Sequence, residues 1–146
     1  MRAVAIISAL ATTCCFSAVA DGGSPEQAVL EALLRHVVAE AQSQRSVKAF
    51  CVSGFDAQSV PIVRARVKAE IPSITDASGC PTQSPGSRET GYVSIWLGAA
   101  VRVTEQEFIA RAEVYRNPLN AESRTFTLHL RDGRWVVIKS ESNWVS

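Results

Sequence analysis

The chain has 146 residues, of which 47% are hydrophobic and 20% charged, with fifteen Lys and Arg set against fourteen Asp and Glu. That length supports one domain burying about two-thirds of its unfolded surface and leaves no room for a second. A near-zero charge balance provides no basic field with which to hold nucleic acid or an anionic membrane.

Residues Met1 to Ala20 read as a cleaved signal peptide. Arg2 supplies the positive start, Ala3 to Leu10 the apolar stretch, and Ala18-Val19-Ala20 the small-residue pattern that a signal peptidase recognises. Ser8, Thr12, Thr13 and Ser17 interrupt this stretch, whereas a spanning helix needs about 20 strongly apolar residues. Lipidation of Cys14 or Cys15 is the competing fate, but Ala11-Thr12-Thr13 lacks the leucine and the small residue that usually precede a lipidated cysteine. Cleavage leaves residues 21–146 as a single α+β domain, secreted or periplasmic, with fourteen acids and fourteen bases and no membrane association.

Ser24-Pro25-Glu26-Gln27 is a helix start, with Ser24 as cap, Pro25 in the first helical position and Gln27 placed to close a capping box. Val29, Leu33 and Val37, flanked by Leu30, Leu34, Val38 and Ala41, form an apolar stripe at helical period that should end between Gln42 and Arg45. Val47 to Ser53 alternates as a short strand stopped by Gly54. From Ser59, residues Val60, Val63, Val67 and Ile71 return to helical spacing, and Pro72 ends the element. Ser78 to Gly91 is rich in Ser, Pro, Gly and Thr and reads as a surface loop.

The mature chain keeps two cysteines, Cys51 and Cys80. In an oxidising compartment a lone pair most simply forms one bridge; the rival, a metal or redox pair, lacks a C-x-x-C spacing and has only His36 and His129 to draw on.

The C-terminal half reads as an antiparallel meander. Across Tyr92 to Val103 the odd positions Val93, Ile95, Leu97, Ala99, Val101 and Val103 are expected to face inward, with a bend at Gly98. A turn at Glu105-Gln106 leads to Glu107–Arg116, which buries Phe108, Ala110, Ala112 and Val114. Asn117-Pro118-Leu119-Asn120 turns the chain toward Phe126, Leu128 and Leu130. Asp132-Gly133 is a two-residue hairpin signal, and its register sets Leu130 against Trp135, Leu128 against Val137 and Arg124 against Glu141. The sequence thus predicts two helices from the N-terminal half packed on a curved antiparallel sheet of four to five strands.

The segment Leu128-His129-Leu130-Arg131-Asp132-Gly133-Arg134-Trp135-Val136-Val137, following two helices and a meander, resembles the last hairpin of the nuclear transport factor two-like superfamily, within the cystatin-like α+β group. The resemblance implies helices on a concave sheet face and a second sheet face that often forms a dimer. The Cys51–Cys80 segment and the short helical region depart from the superfamily pattern.

Catalytic equipment is sparse. There is no G-x-S-x-G, no phosphate cradle and no zinc spacing, so no cofactor and no metal are expected. His36 and Asp56 are the residues to test for a small hydrolase or isomerase with its site in the concave face; His129 reads as a surface histidine on an outer strand position, and Asp76 as a turn residue. Trp96, Trp135 and Trp144 are candidates to line a pocket, although the expected register makes Trp135 a core residue. Arg116 and Lys139 continue inward parities at strand ends, so Trp96, Arg116 and Lys139 form a candidate ligand set. Tyr115, Val136 and Ile138 leave the outer face less polar than a solvated face should be and form a candidate homodimer surface. The leading expectation is a non-enzymatic exported domain that binds a small ligand or a protein partner, or assembles with itself. A further reading is an inhibitor of an exported enzyme that presents the loop Ser78 to Thr90.

Overall fold

The computed structural model describes residues 22–81, 91–117 and 119–146. The segment that reads as a signal peptide, with Cys14 and Cys15, most of the Ser78–Thr90 loop and Pro118 lie outside those residues.

Helix α1 spans Pro25–Gln44, and Ser24 Oγ accepts the Gln27 N–H at 3.2 Å to cap it. Its stripe from Val29 to Ala41 is buried against the sheet as the periodicity predicts. Strand β1 (Ala49–Gly54) follows, then α2 (Ser59–Glu70), which buries Val60, Val63 and Val67. Asp56 starts α2: its carboxylate accepts the N–H groups of Gln58 and Ser59, and its carbonyl accepts that of Val60. A three-residue strand β2 (Ile74–Asp76) and one 3-10 turn (Ala77–Gly79) lead toward β3 (Tyr92–Thr104), β4 (Glu107–Asn117), β5 (Asn120–Arg131) and β6 (Arg134–Val145).

Six strands lie in the order β2-β1-β3-β4-β5-β6, so the sheet is larger than the four to five strands expected and is mixed rather than wholly antiparallel. β1 runs parallel to both β2 and β3, because α2 carries the chain back before β2 forms. β2 is too short to show alternation, and only its pairing to β1 identifies it. Both helices lie on one face. There they seal Phe50, Val52, Ile74, Val93, Ile95, Leu97, Phe108, Phe126 and Leu128 into one hydrophobic cluster. Gly54 sits where any Cβ would meet the Leu97 carbonyl oxygen at 2.5 Å and Val60 Cγ2 at 2.7 Å, which explains a glycine at the β1 exit.

Two bulges revise the expected side-chain directions. Leu97 opposes Ala112 whereas Ala100 opposes Ala110, so β3 inserts one extra residue at Gly98-Ala99. An inserted residue inverts a period of two. Beyond Gly98 it is therefore Ala100 and Arg102 that turn toward the helices, while Val101 and Val103, expected inside, stand 59% and 50% exposed. On β6 the Asp132-Gly133 turn, with φ of 51° and 74°, holds Leu130 against Trp135 and Leu128 against Val137 as predicted. Thr127 then opposes Lys139, leaving Ile138 as an extra residue, and every later pair slips by one. Arg124 consequently opposes Ser142, and Glu141 opposes Thr125 on the other face.

Cys51 and Cys80 are disulfide-bonded, with Cα atoms 5.8 Å apart. Since Phe50 and Val52 face the helices, Cys51 faces away from them, and the bridge clamps the 3-10 turn to the outer side of β1. No helix among the described residues is long and apolar enough to cross a membrane.

Candidate functional site

The sheet face opposite the helices is a surface assembled from β3 to β6. Cross-strand register orders it into rows. Toward the hairpin tips, Val101 opposes Ile109, Ile109 opposes Thr127 and Thr127 opposes Lys139. Val103 and Val136 flank this row, and the two-against-one geometry of the bulge sets Ile138 beside Lys139. At the other end Trp96 opposes Glu113, Glu113 opposes Ser123 and Ser123 opposes Trp144. The Tyr115 ring lies 6.2 Å from that of Trp144. Val101, Val103, Ile109, Tyr115, Val136, Ile138 and Trp144 are all more than a third exposed and share this one face. A solvated antiparallel face normally carries polar residues.

Between the aliphatic and aromatic ends runs a satisfied polar belt. Arg111 donates from Nε to Ser123 Oγ at 2.8 Å and from Nη2 to Glu113, while Tyr115 Oη donates to Glu113 Oε2 at 2.8 Å. The hydrogen bond that the Tyr115 phenol donates to the Glu113 carboxylate holds the phenol above its ordinary range, and partial burial and the adjacent negative charge add to this. Asn143 Nδ2 donates to Ser123 and Thr125, and Lys139 pairs with Glu141 at 2.9 Å. The charges therefore pair off within this belt.

The three residues named for a homodimer surface are all on this face, Val136 and Ile138 at its aliphatic end and Tyr115 at its aromatic end. The proposed ligand set does not assemble: Trp96 and Lys139 are on this outer face and Arg116 is on the helix-covered one. The bulge at Ile138 is what turns Lys139 outward. Trp135 is only half-buried, packing edge-on against Phe108 at 5.0 Å. His129 Nε2 stands 2.6 Å from Glu107 Oε2 on the outer parity.

Arg116 belongs instead to a charged cluster beyond the core on the helix side. Its side chain is 7% exposed and donates from Nη2 to Glu122 Oε1 at 2.7 Å. Arg124 forms a two-pronged pair with Glu40 on α1, and its guanidinium carbon lies 4.9 Å from the Phe126 ring. His36 stacks edge-on against Phe126 at 5.9 Å, with Nε2 3.6 Å from Glu40 Oε1. His36 is thus an ion-pair neighbour at the rim of the core. Asp56 serves as the α2 cap, and hydrogen bonding by the Ser59 side chain, with the N–H groups of Ser59 and Gln58, holds its carboxyl below the usual range. Among the described residues no three His, Cys, Asp or Glu side chains converge as metal ligands would.

Hydrogen bonding to Arg124 holds the Glu40 carboxyl below its ordinary pKa. A carboxylate depressed in the folded state adds stability above its unfolded pKa, about 4.3, and that stability is lost as pH falls through the lower folded value. Urea unfolding followed from pH 7 to pH 3 should show stability falling below about pH 4.5, with a shallower fall in Arg124→Gln. An unchanged slope in that variant would remove the pair from the acid response.

No protein-family model, no curated protein and no solved structure matches this chain. The two helices and six-stranded sheet are compatible with the superfamily that the last hairpin resembles.

Proposed function

We propose that the protein is an exported, non-catalytic domain that works as a homodimer, two copies meeting through the outer faces of β3 to β6. Export is supported by the signal-like N-terminus, the disulfide and the absence of a membrane-spanning helix among the described residues. The dimer rests on one observation: seven large apolar side chains, drawn from the three strands β3, β4 and β6, are exposed on one face.

The dimensions fit. Four strands of 11 to 13 residues cover about 750 Å² at spacings of about 4.8 Å across and 3.3 Å along, close to the roughly 800 Å² per partner of a standard stable interface. Arg111 with Glu113 and Lys139 with Glu141 present both signs equally, so a two-fold pairing brings no net like-charge repulsion.

Sedimentation of the processed protein should show a dimer at micromolar concentration. Ile109→Asp and Val101→Asp, each placing a carboxylate in the aliphatic row, should each raise the dissociation constant at least about tenfold while leaving the far-ultraviolet circular dichroism unchanged. A wild-type protein that remains monomeric at high concentration would refute the reading.

A further inference from the structure

We propose a second recognition site, along the sheet edge that borders the outer face: the first four residues of β6, beside the groove they share with α1, accept an extended acidic peptide as an added strand. β6 is an edge strand, paired only to β5. In a two-residue hairpin the residues flanking the turn, here Arg131 and Arg134, form a hydrogen-bonded pair, and the ladder alternates from there. The N–H and C=O of Arg134 and Val136 therefore point into the ladder, while those of Trp135 and Val137 point away from β5. The Leu130 N–H agrees with this alternation, since it turns from β6 to the Gln106 carbonyl at 3.0 Å.

Edge strands are ordinarily guarded by bulges and charges. Apart from the single charge of Arg134, on β6 these devices begin only at the Ile138–Lys139 bulge and continue through Lys139, Glu141 and a second irregularity at Asn143. The stretch Arg134–Val137 carries neither a bulge nor an acidic residue. The opposite edge, β2, is three residues long.

This stretch also borders a half-open groove of about 870 Å³ with a mixed lining, in which Ala28 and Ala32 of α1 with Trp135 and Val137 supply the apolar part alongside charged groups. Strand addition needs both parts: main-chain groups for affinity and a recess for alternate side chains. An added strand would direct every second side chain into this recess and the others to the outer side, next to Arg134 and Val136.

Charge decides the chemistry of the occupant. The groove's acids are taken: Glu31 by Arg66 at 2.9 Å, and Glu70 by Arg35 at 2.7 Å. Arg134 has no carboxylate of the described residues within ion-pairing distance. The occupant that fits is a segment alternating apolar and acidic residues, with a carboxylate across from Arg134.

The test is a nuclear magnetic resonance titration of the processed protein with a blocked hexapeptide alternating valine and glutamate. Its lysine counterpart, and a version N-methylated at alternate amides, serve as controls. Saturable shifts at the amides of Trp135 and Val137 are expected for the glutamate peptide. N-methylation should abolish them, and Arg134→Glu should weaken binding about fivefold while improving that of the lysine peptide. The proposal is overturned if those amides do not shift, or if either control peptide binds as well. Slow hydrogen exchange at Trp135 and Val137 in the free protein would overturn it too, because a second copy would then already hold this edge.

Discussion

Truncating Phe126 to alanine will lower the free energy of unfolding by about 3–5 kcal/mol, the range for removing a large aromatic from a rigid core. Phe126 has no exposed surface and lies on β5 between the α1 stripe and the charged cluster. The His36 ring meets it edge-on and the Arg124 guanidinium lies over it, so the loss extends beyond the cavity to the groups that this ring positions. Domains of this size are stable by only about 5–15 kcal/mol, so the variant should unfold at a much lower urea concentration. A shift in the urea midpoint equivalent to less than about 1.5 kcal/mol would mean that the site collapses around the smaller residue, and the rigidity assumed for this part of the core would be wrong.

Removing the Cys51–Cys80 bridge should destabilise the protein by about 3.5 kcal/mol, as the chain-entropy relation gives for a loop closed across 29 residues. The bridge restricts the unfolded chain between β1 and the 3-10 turn, a stretch that includes α2 and β2. Cys51 is 2% exposed, so Cys51→Ala is the least disruptive replacement there, combined with Cys80→Ala to leave no free thiol. Equilibrium unfolding of the double variant against the oxidised wild type measures the effect. Equal midpoints would show that the bridge restrains nothing that native packing does not already hold. The two large predictions concern different parts of the molecule, Phe126 on β5 and the clamp on β1, so their effects should add in a triple variant.

The candidate surfaces were only partly legible beforehand. Tyr115, Val136 and Ile138 are out-of-place apolar residues on polar parities, a signal that alternation exposes directly, and Ile109 carries the same signal between Glu107 and Arg111. Val101 and Val103 carry it in reverse. They read as core because twelve residues of unbroken alternation conceal the extra residue at Gly98-Ala99, and a glycine bend does not announce whether parity survives it. Trp144 was singled out only as a possible pocket wall, and its place opposite Ser123 follows from two successive slips of β6. The pairing of Glu40 with Arg124 spans 84 positions of sequence, and nothing local in either residue points to the other.

What the sequence by itself determined are the features whose causes lie within a few residues, the capped start and buried stripe of α1, the second helix ended before Pro72 and the left-handed Asp132-Gly133 turn with its first pairs, together with the Cys51–Cys80 bridge. Backbone preferences, side-chain period and cysteine count act locally and can be read locally. The parallel placement of β1 between β2 and β3, the inverted parities beyond two bulges, the charged cluster around Arg116 and Arg124, and the groove beside the free edge of β6 were decided only by tertiary structure. Each depends on which distant strand supplies the opposing residue. A one-residue slip in that choice moves every later side chain to the other face of the sheet.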